Sequence, residues 1–152
     1  DVLTAAQPKK LYILLGTNTL TTLGAADRFL AYYGQMLDQL RQALGDECTI
    51  YVQSVPPVRP SAAAEKQGLA SDVLQGVNEQ LAQLAADKGC VYLDLWEALA
   101  DGKGDLKEML AAPDGVHLSA GNGYGAWVTY LRNHAKYDAS NSWTMGSVYS
   151  TQ

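Results

Sequence analysis

The chain has 152 residues, of which 47% are hydrophobic and 18% are charged, and its formal net charge is −5. This length fits one domain with a single core, and no apolar run approaches the ~20 residues that a membrane helix needs. The negative charge disfavours binding to phosphate backbones, since the basic residues form no cluster longer than Lys9-Lys10. We therefore expect a soluble globular domain that binds no nucleic acid and has no membrane span.

Three apolar runs predict strands, and amphipathic segments predict the helices between them. The runs cover residues 11–15, 48–53 and 91–95, and apolar residues at three-to-four spacing predict helices over 25–44 and 71–88, the second capped by Ser71. The alternation of strands and helices is typical of an α/β fold, with parallel strands and right-handed crossovers.

The remaining segments connect these elements or follow them. Residues 1–10 are interpreted as a polar lead-in and 54–68 as a loop that begins with several prolines. Short helical pieces are predicted at 96–100 and 106–110, and a last helix after Ser119. We predict one domain over residues 1–135, followed by a tail over 136–152.

Cysteines, histidines and clustered glycines are the other residues of this sequence that could form a site. Cys48 and Cys90 directly precede two predicted parallel strands, where disulfide geometry is poor, so free thiols are expected. The two histidines and two cysteines do not have the spacing of zinc ligands, so no metal is predicted. The glycines at 121, 123 and 125 lack a phosphate-loop sequence, which favours a role in close helix packing.

The segment Asp114-Gly115-Val116-His117 places a carboxylate three residues before an imidazole. One tight turn can join the two, so that the imidazole removes a proton from a hydroxyl while the carboxylate fixes its tautomer. A hydrogen-bonded structural histidine is the alternative, but the pairing with Asp114 favours function. His134, the other histidine, is interpreted as a solvated helix end.

Loops at the carboxyl ends of parallel strands gather at one edge of a sheet, where ligands bind. Asn18 follows the first predicted strand, and its amide could donate a hydrogen bond to an oxyanion. A turn residue is the alternative for Asn18. Gly16 is open to the same two interpretations, close approach of a substrate or a turn.

These blocks resemble the SGNH (GDSL-type) hydrolases, which are esterases and lipases with a flavodoxin-like, three-layer α/β/α fold. Residues 11–18 look like the family's strand followed by Gly-x-Asn-Asp, and residues 114–118 look like its Asp-x-x-His block. The resemblance implies that His117 is the general base, that Asp114 orients it and that Asn18 is an oxyanion donor. It also implies a substrate-binding role for Gly16 and Thr17, and no cofactor. Thr19 departs from the pattern, because the family usually has Asp there.

The family's amino-terminal block, a strand ending in Gly-Asp-Ser, has no counterpart in this sequence. Ten residues precede Leu11, too few for two strands and a connecting helix. Ser54 and Ser119 are possible substitutes, although a strand end and a helix cap explain them better. The strand over 11–15 would then be an exposed edge, and we expect an amino-terminal segment or a second chain to pair with it. Domain-swapped or edge-to-edge dimerisation is the alternative.

The sequence therefore predicts a serine esterase or acylhydrolase whose serine comes from a missing or separate amino-terminal segment. An acetyl ester of a carbohydrate is one possible substrate. The first alternative is a non-catalytic binding module on the same fold, in which Trp96, Trp127 and Tyr124 would contact a sugar. The second is a flavodoxin-like ligand domain with a coincidental Asp-His turn, which a flavin absorbance band would indicate.

Overall fold

The computed structural model describes residues 2–135, and its centre is a three-stranded parallel sheet. The strands are β1 (Lys10–Ile13), β2 (Thr49–Gln53) and β3 (Val91–Leu93), in the spatial order β1-β2-β3. Leu11 lies opposite Ile50, and Tyr51 lies opposite Val91. The predicted parallel sheet is confirmed.

Six α-helices are described, together with two short 3₁₀ turns at Gln67–Leu69 and Glu108–Leu110. The helices are α1 (Val2–Ala6), α2 (Ala26–Leu44), α3 (Pro60–Glu65), α4 (Ser71–Asp87), α5 (Trp96–Leu99) and α6 (Asn122–His134). Two of them end as the sequence predicts: Gly45 and Gly89, at the ends of α2 and α4, both have positive φ angles, which glycine adopts without strain.

Helices cover the sheet on both faces. On one face, α2 and α4 pack on the sheet around a core that includes Ile13, Ile50 and Val52. On the other, Tyr51 and Leu93 pack with residues of α5 and α6. The α/β/α architecture predicted from the sequence is confirmed, because helices pack on both faces of the sheet and the central strand β2 buries side chains in both layers.

Four local predictions were wrong. The interpreted lead-in contains α1, whose Leu3 packs against the core. Part of the interpreted 54–68 loop is α3, where Pro60 occupies the first helical turn and three alanines follow, so the proline starts a helix rather than preventing one. The first strand ends at Ile13, and Leu15 is 47% exposed. Ser71 does not cap α4, because its hydroxyl donates to the Gly104 carbonyl.

Several smaller predictions also have an outcome. Both cysteines are free, as expected, with Cys48 buried and Cys90 half-buried. Gly123 does allow close packing, since a Cβ there would clash with the Leu110 carbonyl oxygen, but a Cβ at Gly121 or Gly125 would have no neighbour within 4 Å. None of the described helices is long and apolar enough to cross a membrane. The predicted tail, 136–152, lies outside the described residues.

Candidate active site

A tight turn joins Asp114 and His117. The turn is closed by hydrogen bonds from the Gly115 amide to the Ala112 carbonyl and from the Ala112 amide to the His117 carbonyl, at 3.0 and 2.8 Å. An antiparallel bridge between Ala111 and Leu118 continues it. The short loop thereby holds the side chains of Asp114 and His117 close together.

The Asp114 carboxylate is held by three hydrogen bonds. One oxygen lies 2.5 Å from His117 Nδ1, and the other accepts from the amides of Val116 and His117, at 3.0 and 2.9 Å. The ring contact with His117 and these two amides lower the pKa of Asp114 to about 2. The carboxylate is therefore ionised at neutral pH although its side chain is half exposed.

The carboxylate also decides the tautomer of His117. An ionised carboxylate only accepts hydrogen bonds, so the neutral ring carries its proton on Nδ1 and leaves Nε2 with a lone pair. The imidazole is exposed, so Nε2 is accessible to another group. The predicted pairing of Asp114 with His117 is present in the structure, and it leaves Nε2 as the ring nitrogen that can accept a proton.

The turn is anchored to the loop that follows β2. The Arg59 amide donates to the Gly115 carbonyl at 2.7 Å, and the Arg59 guanidinium donates to the Leu106 carbonyl at 2.6 Å. Gly115 has a φ of +70°, and a Cβ there would lie 3.0 Å from Arg59 Cβ. These contacts place the Asp-His turn at the carboxyl end of β2, on the edge of the sheet where the sequence predicts the functional loops to gather.

Asn18 lies at the same edge, in the loop after β1. Amides of Thr19 and Leu20 both donate to the Gly16 carbonyl, at 2.9 and 2.8 Å, which folds 16–20 into a compact turn that leaves Asn18 exposed. Gly16 has a φ of +134°, and a Cβ there would lie 2.6 Å from a Val55 methyl group. The structure thus requires glycine at 16 for the turn and for packing.

A groove of about 740 Å³ lies beside this loop, between β1 and α2. Gly16, Thr17 and Asn18 are among its lining residues, whereas Asp114 and His117 are not. The structure therefore brings Asp114 and His117 together. Asn18 lies in a different loop, where it lines the groove that the other two residues do not reach.

Ser54 and Ser119 both have structural roles. Ser54 is fully buried, and its hydroxyl accepts the Leu95 amide at 2.9 Å. Ser119 Oγ accepts the Gly123 amide at 2.9 Å in the first turn of α6, although the N-cap residue of that helix is Gly121 and not Ser119. Ser54 and the hydrogen-bonded Ser119 thus both have structural roles, which the sequence favours over nucleophilic attack.

Comparison with known families decides the classification. The model of the GDSL-like lipase/acylhydrolase family matches residues 1–133. The chain belongs to this family. Among curated protein sequences, none matches it.

Solved structures agree with the family in fold. A Streptococcus pneumonia protein, described as a platelet activating factor, has a TM-score of 0.72 and 23% identity. The match covers 82% of this chain and 58% of that one. A GDSL-like lipase from Bacteroides thetaiotaomicron has a TM-score of 0.67 and 17% identity, and the match covers 87% of this chain and 66% of that one. A lipase/acylhydrolase from Enterococcus faecalis has a TM-score of 0.59 and 17% identity, and the match covers 84% of this chain and 60% of that one. The GDSL-like chain thus spans 58–66% of the length of these proteins.

Asn78 holds the β2 loop in this GDSL-like domain, a role that sequence reasoning missed. The buried Asn78 side chain accepts the Val55 amide and donates to the Val55 carbonyl, at 2.8 and 3.0 Å. The available signal was its position four residues after Leu74 on the apolar face of α4, where a polar residue needs a partner.

Gln53 was missed for the same kind of reason. It is buried at the end of β2, and its side-chain oxygen accepts the Trp127 indole N–H at 2.7 Å. This bond joins α6, the helix that follows the Asp-His turn in the chain, to the end of β2. Among residues 2–135, no group of three or more potential ligands is placed to hold a metal ion.

Proposed function

We propose that the chain is the relay-bearing part of a serine acylhydrolase that cleaves carboxylic esters. The observation that carries the proposal is the hydrogen bond between Asp114 and His117 Nδ1, because it leaves Nε2 as a base directed away from the carboxylate. Membership of the GDSL-like lipase/acylhydrolase family supports the same chemistry. The nucleophilic serine is supplied by a segment that is separate from residues 2–135.

In the proposed reaction, His117 Nε2 takes the proton of the serine hydroxyl while the serine oxygen bonds to the ester carbonyl carbon. The Asn18 amide donates to the resulting oxyanion, and Gly16 and Thr17 line the approach of the substrate. Collapse of this intermediate breaks the bond to the alcohol, which leaves with the proton from His117. His117 then deprotonates water as the water oxygen bonds to the acyl carbon; the bond to the serine oxygen breaks, that oxygen regains the proton from His117, and the carboxylic acid is released.

The substrate class that we propose is a short-chain ester, of which an acetylated carbohydrate is one example. Exposed Asp114 and His117 side chains favour an ester presented at a surface over one enclosed in a deep cavity. The test is hydrolysis of p-nitrophenyl acetate by the protein supplied with a serine-bearing strand. Turnover that disappears when the supplied serine is alanine supports the proposal, and equal rates with serine and alanine contradict it.

A second candidate is a non-catalytic binding module on the same fold. The bonded, structural roles of Ser54 and Ser119 favour it, because neither is available as a substitute nucleophile. Trp96 and Trp127 also use their indole N–H groups internally, toward Val55 and Gln53, which leaves Tyr124 as the more exposed of the three aromatic candidates. Carbohydrate binding without hydrolysis under any of the conditions above would favour this candidate.

A further inference from the structure

A groove of about 300 Å³ lies between α4 and the segment that leads from β3 into α5. The rings of Tyr92 and Trp96 line it, together with the carboxylates of Glu79 and Asp94. None of the described residues that line it is a lysine, an arginine or a histidine. The groove is therefore both acidic and aromatic, which limits the kind of ligand that it can bind.

The Trp96 side chain is held in one orientation. The Val55 carbonyl accepts its indole N–H at 2.8 Å, and the same carbonyl accepts the side-chain amide of Asn78 at 3.0 Å. A Cβ at Gly104 would lie 3.4 Å from the indole ring, so the backbone at that residue is close to it. The half-buried ring is thus ordered before any ligand binds, which lowers the entropic cost of binding.

Tyr92 and Asp94 lie two residues apart, at the end of β3. Asp94 Oδ1 accepts the Trp96 amide at 3.1 Å, and the Tyr92 hydroxyl is hydrogen-bonded to Ser54. Burial and the nearby charge of Asp94 raise the pKa of Tyr92, so that its side chain is a neutral phenol at physiological pH. A fixed carboxylate therefore lies next to two fixed aromatic side chains.

Glu79 is exposed and lines the groove from α4. Within residues 2–135, neither Glu79 nor Asp94 forms an ion pair with a basic side chain. Two carboxylates in one groove repel each other, and a cation that enters the groove relieves this repulsion. The acidic pair therefore favours a positively charged ligand.

The combination of rings and carboxylates fits an organic cation. The face of an aromatic ring attracts a positive charge, and nearby carboxylates add to this attraction. A metal ion fits less well, since the groove supplies only two carboxylate side chains as ligands. A neutral sugar also fits less well, because it does not compensate the two like charges and because the indole N–H of Trp96 is already bonded to Val55.

We propose that this groove, between α4 and β3, binds an alkylammonium group, either the quaternary ammonium of a small molecule or the primary ammonium of a lysine side chain. The positive charge lies against the rings of Tyr92 and Trp96 and is compensated by Glu79 and Asp94. The proposal is independent of ester hydrolysis, because none of these residues belongs to the Asp-His turn.

The probes are the tetramethylammonium ion, for a quaternary ligand, and the n-butylammonium ion, for a lysine side chain. The uncharged control is tert-butanol, whose size is close to that of tetramethylammonium, and sodium chloride at the same concentration controls for ionic strength. Binding is followed by NMR through the indole N–H signal of Trp96. The signal of Trp127, whose indole is bonded to Gln53, is the internal reference.

We expect the Trp96 signal to shift and saturate with the ammonium ions, while the Trp127 signal stays in place. Tighter binding of tetramethylammonium supports a quaternary ligand, and tighter binding of n-butylammonium supports a lysine side chain. The uncharged tert-butanol should bind at least about tenfold more weakly than the better of the two ions.

Charge is tested with Glu79→Gln and Asp94→Asn, which keep the size of each side chain and leave an oxygen that can accept the Trp96 amide. Each should weaken ammonium binding about threefold, and the double variant about tenfold. Glu108→Gln removes an exposed charge that does not line the groove, and it should leave binding unchanged.

Three results would each overturn the proposal. These are equal binding by the double variant and the unaltered chain, equal affinity for tetramethylammonium and tert-butanol, and no shift of the Trp96 signal with either ammonium ion. A saturable shift with methyl glucoside in place of the ammonium ions would also overturn it, in favour of a sugar.

Discussion

The Arg59 amide donates a hydrogen bond to the Gly115 carbonyl at 2.7 Å, and this bond joins the loop after β2 to the turn that presents His117. Arg59 also reaches the Leu106 carbonyl, so one residue connects three loops at the carboxyl edge of the sheet. The position of the imidazole therefore depends on backbone contacts from a strand distant in sequence, and a change at Gly115 should be felt in both stability and activity.

Replacing Gly115 with alanine should lower the free energy of unfolding by about 1–3 kcal/mol, because a φ of +70° and a contact of 3.0 Å with Arg59 Cβ both disfavour a side chain. Urea denaturation followed by circular dichroism measures the change. Gly102→Ala is the matched control, since Gly102 has no neighbour within 4 Å, and it should change stability by less than about 0.5 kcal/mol. Equal effects of the two substitutions would contradict the role assigned to Gly115.

The Asp114 carboxyl group should titrate at about pH 2, which the chemical shift of its carboxyl carbon reports. Because this pKa lies below the ordinary value of 3.8, the carboxylate stabilises the fold fully above that value, and its contribution is lost as the pH falls towards 2. His117→Ala should raise the pKa of Asp114 by removing its strongest hydrogen bond.

Asp101 provides the internal control for that titration. Its pKa is lowered by the amides of Lys103 and Asp105, and no part of His117 is involved. Its midpoint should therefore be the same in the unaltered chain and in His117→Ala. A midpoint for Asp114 that also stays unchanged would show that the imidazole does not hold the carboxylate.

Replacing Asn78 with leucine should destabilise the protein by about 2–4 kcal/mol, because the Val55 amide and carbonyl would both be left buried without a partner. Thermal or urea unfolding measures the loss. Gln80→Ala tests an exposed position on the same helix and should have little effect. If Asn78→Leu were as stable as Gln80→Ala, the Val55 backbone would have found other partners.

Replacing Trp127 with phenylalanine should cost about 1–3 kcal/mol, since the buried Gln53 oxygen loses its donor and the smaller ring leaves unfilled space. Tyr124→Phe, at an exposed ring on the same helix, should be nearly neutral. The comparison of the two unfolding curves tests whether the bond to Gln53 fixes α6. Similar curves would assign that task to apolar packing alone.

Much of the fold follows from local sequence pattern. The long helices α2 and α4 have the apolar spacing and the terminal glycines that predict them, and the apolar runs give all three strands to within a few residues. Helix α3 could not be predicted as readily, because prolines stop one element and start another, and the choice depends on tertiary packing. The exposure of Leu15 could not be predicted either, since an apolar run does not show which of its side chains has a neighbour to bury it.

The candidate site was predictable where it is local in sequence. Asp114 and His117 are three residues apart, so one turn brings them together and their spacing carries the prediction. Arg59 and Asn78 act through backbone groups of residues far along the chain, and such contacts depend on how strands and loops meet in space. Their residue types alone give little signal.

The central proposal is that His117, held by Asp114, is the general base that activates a serine nucleophile. The most direct measurement is covalent labelling by a fluorophosphonate of the protein assembled with its serine-bearing strand, read by intact mass. Labelling should fall to background in His117→Ala and stay unchanged in His134→Ala, where the substituted imidazole lies near the end of α6. Labelling of His117→Ala at the rate of the unaltered protein would contradict the account.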